Sequence, residues 1–130
     1  MTKKEHIQYW IETSEKDWEV VEVLYQSKQY VYSLFFSHLV IEKLSRANWV
    51  KNSEGNHPPR SHNVVYILEN VNINIPDKQK EFLLMLNDFQ LEGRYPDYQH
   101  RIYHYCTKKR TDIILENVKD IRKWLIKSLQ

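Results

Sequence analysis

Apolar residues recur at spacings of three and four along most of the chain. In the first such segment Ile7, Ile11, Trp18, Val21 and Tyr25 form a stripe, with Ser14 in its gap and Trp10 and Leu24 at its edges. Glu12, Glu15, Lys16, Glu19 and Glu22 lie largely off that stripe. This period predicts an amphipathic helix over residues 5–27. A second helix is predicted over 30–51, where Phe35, Phe36, Leu39, Val40, Leu44 and Ala47 make a broad apolar surface. Only Glu42, Lys43 and Arg46 bring charge into its middle, the pattern of a helix central to a bundle. Pro58 and Pro59 then preclude regular helix. Ser61 is a candidate N-cap for a short helix ending at Glu69 and carrying Val64, Val65, Ile67 and Leu68.

Residues 70–75 alternate Asn with Val or Ile, a strand-like pattern without a partner strand, and are read as an extended linker. Pro76 suits the first turn of a helix reaching about Leu91, with Phe82, Leu83, Leu86 and Phe89 inward. Gly93 marks a helix end, and Pro96 restricts Tyr95 and opens a turn. A last amphipathic helix is predicted over 101–129 from Ile102, Ile113, Ile114, Val118, Ile121, Leu125 and Leu129. The sum is an all-α fold: a single domain, residues 1–130, built as a mostly antiparallel bundle of four or five helices.

Composition supports this. Two Gly and four Pro leave few break points, and 42% hydrophobic with 28% charged residues is the balance of a folded domain. The formal net charge of +2 demands no polyanion. Its distribution is uneven: residues 1–93 carry 10 basic and 13 acidic side chains, residues 94–130 carry 9 basic and 4 acidic. A basic third starting at Arg94 suits a phosphate-bearing ligand, or a solvated helix face. One cysteine, Cys106, excludes an internal disulfide, and no Cys or His pair has the spacing of a zinc motif. No apolar run approaches the ~20 residues needed to cross a bilayer. The start of the chain lacks an apolar signal core, so a cytoplasmic protein is expected.

Residues 94–100, Arg-Tyr-Pro-Asp-Tyr-Gln-His, carry the candidate chemistry. They place Arg94, Asp97 and His100 together at a helix interruption. A guanidinium grips phosphate through a planar fork of donors, and histidine is the side chain that exchanges protons near neutral pH. The same residues can instead bracket a turn, with Arg94 paired to Asp97 or Glu92.

Four places resemble HEPN domains (higher eukaryotes and prokaryotes nucleotide-binding). Residues 30–47, with their aromatic-rich start followed by Glu42-Lys43-Leu44 and a small residue, resemble the family's second helix. Pro58-Pro59-Arg60-Ser61-His62-Asn63 resembles the loop entering its third helix. Arg94-Tyr95-Pro96-Asp97 resembles the motif after its fourth, and the terminal helix with Ile121, Trp124 and Leu125 fits the family's end. The resemblance spans nearly the whole chain. It implies an all-helical bundle, usually homodimeric and often encoded beside a small nucleotidyltransferase as a toxin–antitoxin pair. Many members cleave RNA without a metal or other cofactor, through an Arg followed after four to six residues by a His. Arg94 and His100, with five residues between them, fit that motif. Active members commonly carry Asn, Asp or His after the Arg, where this chain has Tyr95. Some carry Tyr two residues after the His, where it has Ile102, with Tyr103 beside it.

Three functional readings follow. In the first, His100 is the acid–base group, Arg94 holds the scissile phosphate, Asp97 or Tyr103 orients His100, and Glu42 supports Arg94 or pairs with Arg46. In the second, the chain binds RNA or a nucleotide, or serves a nucleotidyltransferase as substrate- or partner-binding module, without catalysis. Arg94, Arg101, Lys108, Lys109 and Arg110 then supply charge, and Tyr98 or Tyr103 a stacking face. In the third, the motif only fastens a helix break. His62 is expected to help start the third helix, and Asp97, His100 and His104 share a helix face without further ligands for a metal.

Overall fold

The computed structural model describes all 130 residues. The long helices form where the apolar period is unbroken. Helix α1 spans Lys3–Gln26, opened by Thr2 and Glu5 in a reciprocal capping box. Helix α2 spans Tyr30–Asn52. Between them Gln29 N donates to Leu24 O and Lys28 N to Tyr25 O, so the turn closes as a Schellman motif. Lys28 occupies the left-handed position at φ 63°, where glycine is usual.

Helix α2 is enclosed on almost every side and is the axis of the fold. Leu34, Val40, Ile41, Leu44 and Ala47 are fully buried, as are Ser33, Ser37 and Ser45. Those hydroxyls stay satisfied: Ser37 and Ser45 donate to the carbonyls of Ser33 and Ile41, and Ser33 donates to Val21 O of α1 at 2.9 Å. Small side chains let α1 lie close to α2, and a Lys43–Asp17 ion pair at 2.6 Å bridges the two. Lys3 Nζ donates to the carbonyls of Val50 in the last turn of α2 and of Ser53 and Gly55 just beyond it, which fixes the helices antiparallel.

Helix α3 (Val64–Glu69) begins at Asn63 rather than Ser61. The Asn63 side chain accepts from Val65 N and Tyr66 N, while the Ser61 hydroxyl accepts from Asn63 N one step earlier. Residues 70–75 run as the expected irregular linker and bury Ile75. Helix α4 (Asp77–Leu86) ends in a 3-10 turn over Asn87–Phe89. The last periodic segment differs from expectation. It is two helices, α5 (Pro96–Tyr105) and α6 (Lys108–Lys127), broken at Cys106 and Thr107. Thr107 caps α6 by accepting from Arg110 N. Six helices and no strand result, all-α as the periodicity implies. Asn48 Nδ2 donates to Leu125 O, and Lys51 Nζ to Ser128 O, so α6 runs parallel to α2 and antiparallel to α1. No helix is long and apolar enough to cross a membrane.

Candidate nucleic-acid interface

The segment from the 3-10 turn into α5 is set by a tight turn. Arg94 N donates to Leu91 O at 3.2 Å, and Gly93 takes φ 74°, a conformation that a side chain opposes. Gln90 is buried beneath the turn, its Oε1 accepting from Glu92 N. Pro96 occupies the first turn of α5, where its missing N–H costs nothing.

This geometry orients Arg94. Its Nε donates to Gln90 O at 3.2 Å, and its guanidinium lies over the Tyr98 ring, 4.6 Å from the centroid. Arg101 approaches the same ring at 5.6 Å. Tyr98 is pinned in turn, its hydroxyl donating to Asp88 O at 2.6 Å. Partial burial, then the Asp88 charge, raises the Tyr98 phenol above its ordinary range, so it stays a donor at neutral pH. Neither arginine is in an ion pair, and the terminal nitrogens of Arg94 make no hydrogen bond within the chain. The pairing of Arg94 with Asp97 or Glu92, one of the turn-bracket alternatives, is not formed.

His100 and His104 are both exposed on α5 and meet edge to face, ring centroids 4.5 Å apart. Tyr103 lies beyond, 5.9 Å from His104. His100 is not hydrogen-bonded to Asp97 or to a tyrosine. The orienting contact expected from Asp97 or Tyr103 is not formed; the ring against His100 is that of His104. Asp97, His100 and His104 do not converge as a three-ligand group.

Glu42 does not reach Arg94. Its carboxylate, 7% exposed, accepts from Arg46 Nη2 at 3.4 Å and from His62 Nδ1 at 2.7 Å. Arg46 also donates to Ser61 O and lies 5.4 Å over Trp10 of α1. His62 Nε2 stands 3.8 Å from Glu92, one residue before Gly93. A buried carboxylate on α2 is thus connected through His62 to the turn that presents Arg94. One turn earlier on α2, buried His38 contacts Asn87 Oδ1 through Nε2 at 3.1 Å, and Asn87 Nδ2 donates to the Asn63 cap. Burial is the largest influence on His38 and lowers its pKa, so the ring is neutral, with Nε2 the donor.

The basic cluster at the start of α6 is divided. Lys108 donates to Asp112 at 2.9 Å, which raises the ammonium pKa. The Asp112 carboxyl is lowered by hydrogen bonds from Tyr25 and Lys108. Lys109 is exposed without a partner, and Arg110 lies 4.6 Å over Tyr105. Two cation–ring groups therefore stand along residues 94–110: Arg94 and Arg101 over Tyr98, and Arg110 over Tyr105.

A HEPN domain family model matches residues 7–129, nearly the whole chain. The chain belongs to the HEPN family. No curated protein and no solved structure matches it. HEPN membership carries a nucleotide- or RNA-related function in general terms. Within this HEPN domain, Arg94, Tyr98 and Arg101 are brought together as one group, His100 lies between Tyr98 and Arg101 on α5 without joining their contacts, and Glu42 belongs to a separate buried network. Of that network the Glu42–Arg46 pair was among the sequence expectations, while the His62 contact and the His38–Asn87–Asn63 chain were missed. The available signals were a histidine and a glutamate at i,i+4 on an otherwise apolar helix, and the His62-Asn63 pair beside two prolines.

Proposed function

We propose that this HEPN domain binds single-stranded RNA and cleaves it without a metal, as a homodimer in the cytoplasm. The observation that carries this reading is Arg94: exposed, free of any carboxylate, held over the Tyr98 ring just before α5, and followed by an exposed histidine on that helix. A guanidinium held by its Nε and its face keeps its terminal donors for phosphate. A surface rich in both arginines and tyrosines suits a strand that presents both phosphates and bases.

Cleavage requires a proton removed from the 2′-hydroxyl and a proton given to the 5′-oxygen. His100 takes the first as its oxygen attacks phosphorus. A second protonated histidine, His100 of another copy, gives the other as the P–O5′ bond breaks. The products are a 2′,3′-cyclic phosphate and a free 5′-hydroxyl, with Arg94 neutralising charge on the phosphoryl oxygens. A homodimer supplies both imidazoles and explains how one short motif suffices.

A second reading is supported by Tyr95, which follows Arg94 and is 79% exposed. A large exposed aromatic suits a protein contact, so that the domain serves as a noncatalytic partner of a nucleotidyltransferase antitoxin. Incubating the purified protein with labelled single-stranded RNA in EDTA separates the two. Cleavage lost in both Arg94→Ala and His100→Ala supports the first. An inert protein that binds the product of a neighbouring nucleotidyltransferase gene tightly supports the second.

A further inference from the structure

Beside the Arg94–Tyr98 stack lies a cavity of about 340 Å³ between the end of α4, the 3-10 turn and α5. Met85, Phe89, Ile102 and Tyr105 give it apolar walls, and Asp88, Tyr98 and Arg101 its polar groups. The volume is near the lower end of small-molecule sites, about 300–1,000 Å³, which suits a compact planar ligand. Two features of the lining bear on which ligand would fit. First, the Asp88 carboxylate makes no hydrogen bond or ion pair, although Arg101 lines the same cavity; only its backbone carbonyl is used, by Tyr98. Second, the Tyr98 ring that lines the cavity also carries Arg94, so a group inside would continue directly from a phosphate held outside.

The geometry points to a nucleobase subsite that prefers guanine, with its ring between the α5 wall of Ile102 and Tyr105 and the facing wall of Met85 and Phe89, and its N1–H and N2–H donated to the two oxygens of Asp88. Guanine presents two adjacent donors on its Watson–Crick edge. Adenine and cytosine offer one amino group beside an acceptor that a carboxylate repels, and uracil offers a single donor between two carbonyls. This inference rests on the RNA-binding reading above and adds a base preference to it.

The probe is 5′-GMP in EDTA, titrated against the homodimer or monomer as purified, with the Ile102 methyl group observed by NMR. Binding at least about tenfold tighter for GMP than for AMP, CMP or UMP is expected, consistent with one bidentate base contact. IMP, which lacks the N2 amino group, should be weaker than GMP, and Asp88→Asn should bring GMP to the level of the others. Asp88 is exposed, so this variant retains the fold. A GMP that leaves Ile102 unmoved, or a preference that survives Asp88→Asn, would overturn the subsite. If oligouridine still binds in an Arg94-dependent way, the RNA reading survives that loss. If GMP moves Ile102 while no oligonucleotide is bound or cut, the subsite stands and the RNA reading fails.

Discussion

Glu42→Gln keeps the shape of the side chain and removes its charge. In the folded protein this leaves Arg46, 13% exposed, without its carboxylate and takes the charged acceptor from His62. Removing one partner of a buried ion pair costs about 3–5 kcal/mol. Two features reduce that figure here: Arg46 retains the Pro59 and Ser61 carbonyls, and His62 is half-exposed and can be solvated. A loss of about 2–3 kcal/mol is expected, a substantial share of the ~5–15 kcal/mol by which such domains are stable. Urea unfolding followed by tryptophan fluorescence measures it, with Glu69→Gln as a surface control expected to change stability by less than about 0.5 kcal/mol. A Glu42→Gln/His62→Gln double-mutant cycle should give a coupling of about 1 kcal/mol, because the two side chains share one hydrogen bond. An effect of Glu42→Gln no larger than the control would refute the view that this carboxylate organises the loop and the Arg94 turn.

Three further outcomes are expected. His38 is buried with its pKa below that of the unfolded chain, so the unfolded state binds the extra proton on acidification. Its contribution is intact above about pH 6.5 and is lost as pH falls toward the folded pKa, with a slope of up to ~1.4 kcal/mol per pH unit. The pH-dependence of stability in His38→Gln should lack this component, and equal slopes in the two proteins would contradict it. The Cys106 thiol is buried and pushed up to about 11, mainly by desolvation, so thiol reagents at pH 8 should label it only after denaturation. Gly93→Ala meets no atom within 4 Å and should cost only the left-handed backbone strain, about 1 kcal/mol by thermal melting; a loss several-fold larger would show that the turn depends on more than the freedom of glycine.

The all-α fold was legible in the sequence because the apolar period of α1 and α2 persists over six turns and few Gly or Pro interrupt it. The break at Cys106–Thr107 was not. Cys106 continues the apolar pattern, and the capping by Thr107 is visible only once Arg110 N is placed. At the site, Arg94, Tyr98 and Arg101 were legible as candidates because they are near neighbours in sequence, at and just before the start of α5. The His38–Asn87–Asn63 chain and the Met85–Phe89 wall of the cavity depend on residues far apart in sequence, which local spacing does not report. Glu42 lay between these cases. Its burial followed from its apolar helix, while the choice of Arg46 and His62 over Arg94 was decided by the fold of the proline loop.

Arg94 and His100 are proposed to act as a metal-independent RNA-cleaving pair. The most direct measurement is the rate of cleavage of labelled single-stranded RNA in EDTA by the wild type, Arg94→Ala and His100→Ala, each first verified as folded. Cleavage by the wild type, reduced at least ~100-fold in each variant, is expected. Cleavage that persists in either folded variant, or its absence in the folded wild type, would contradict the claim.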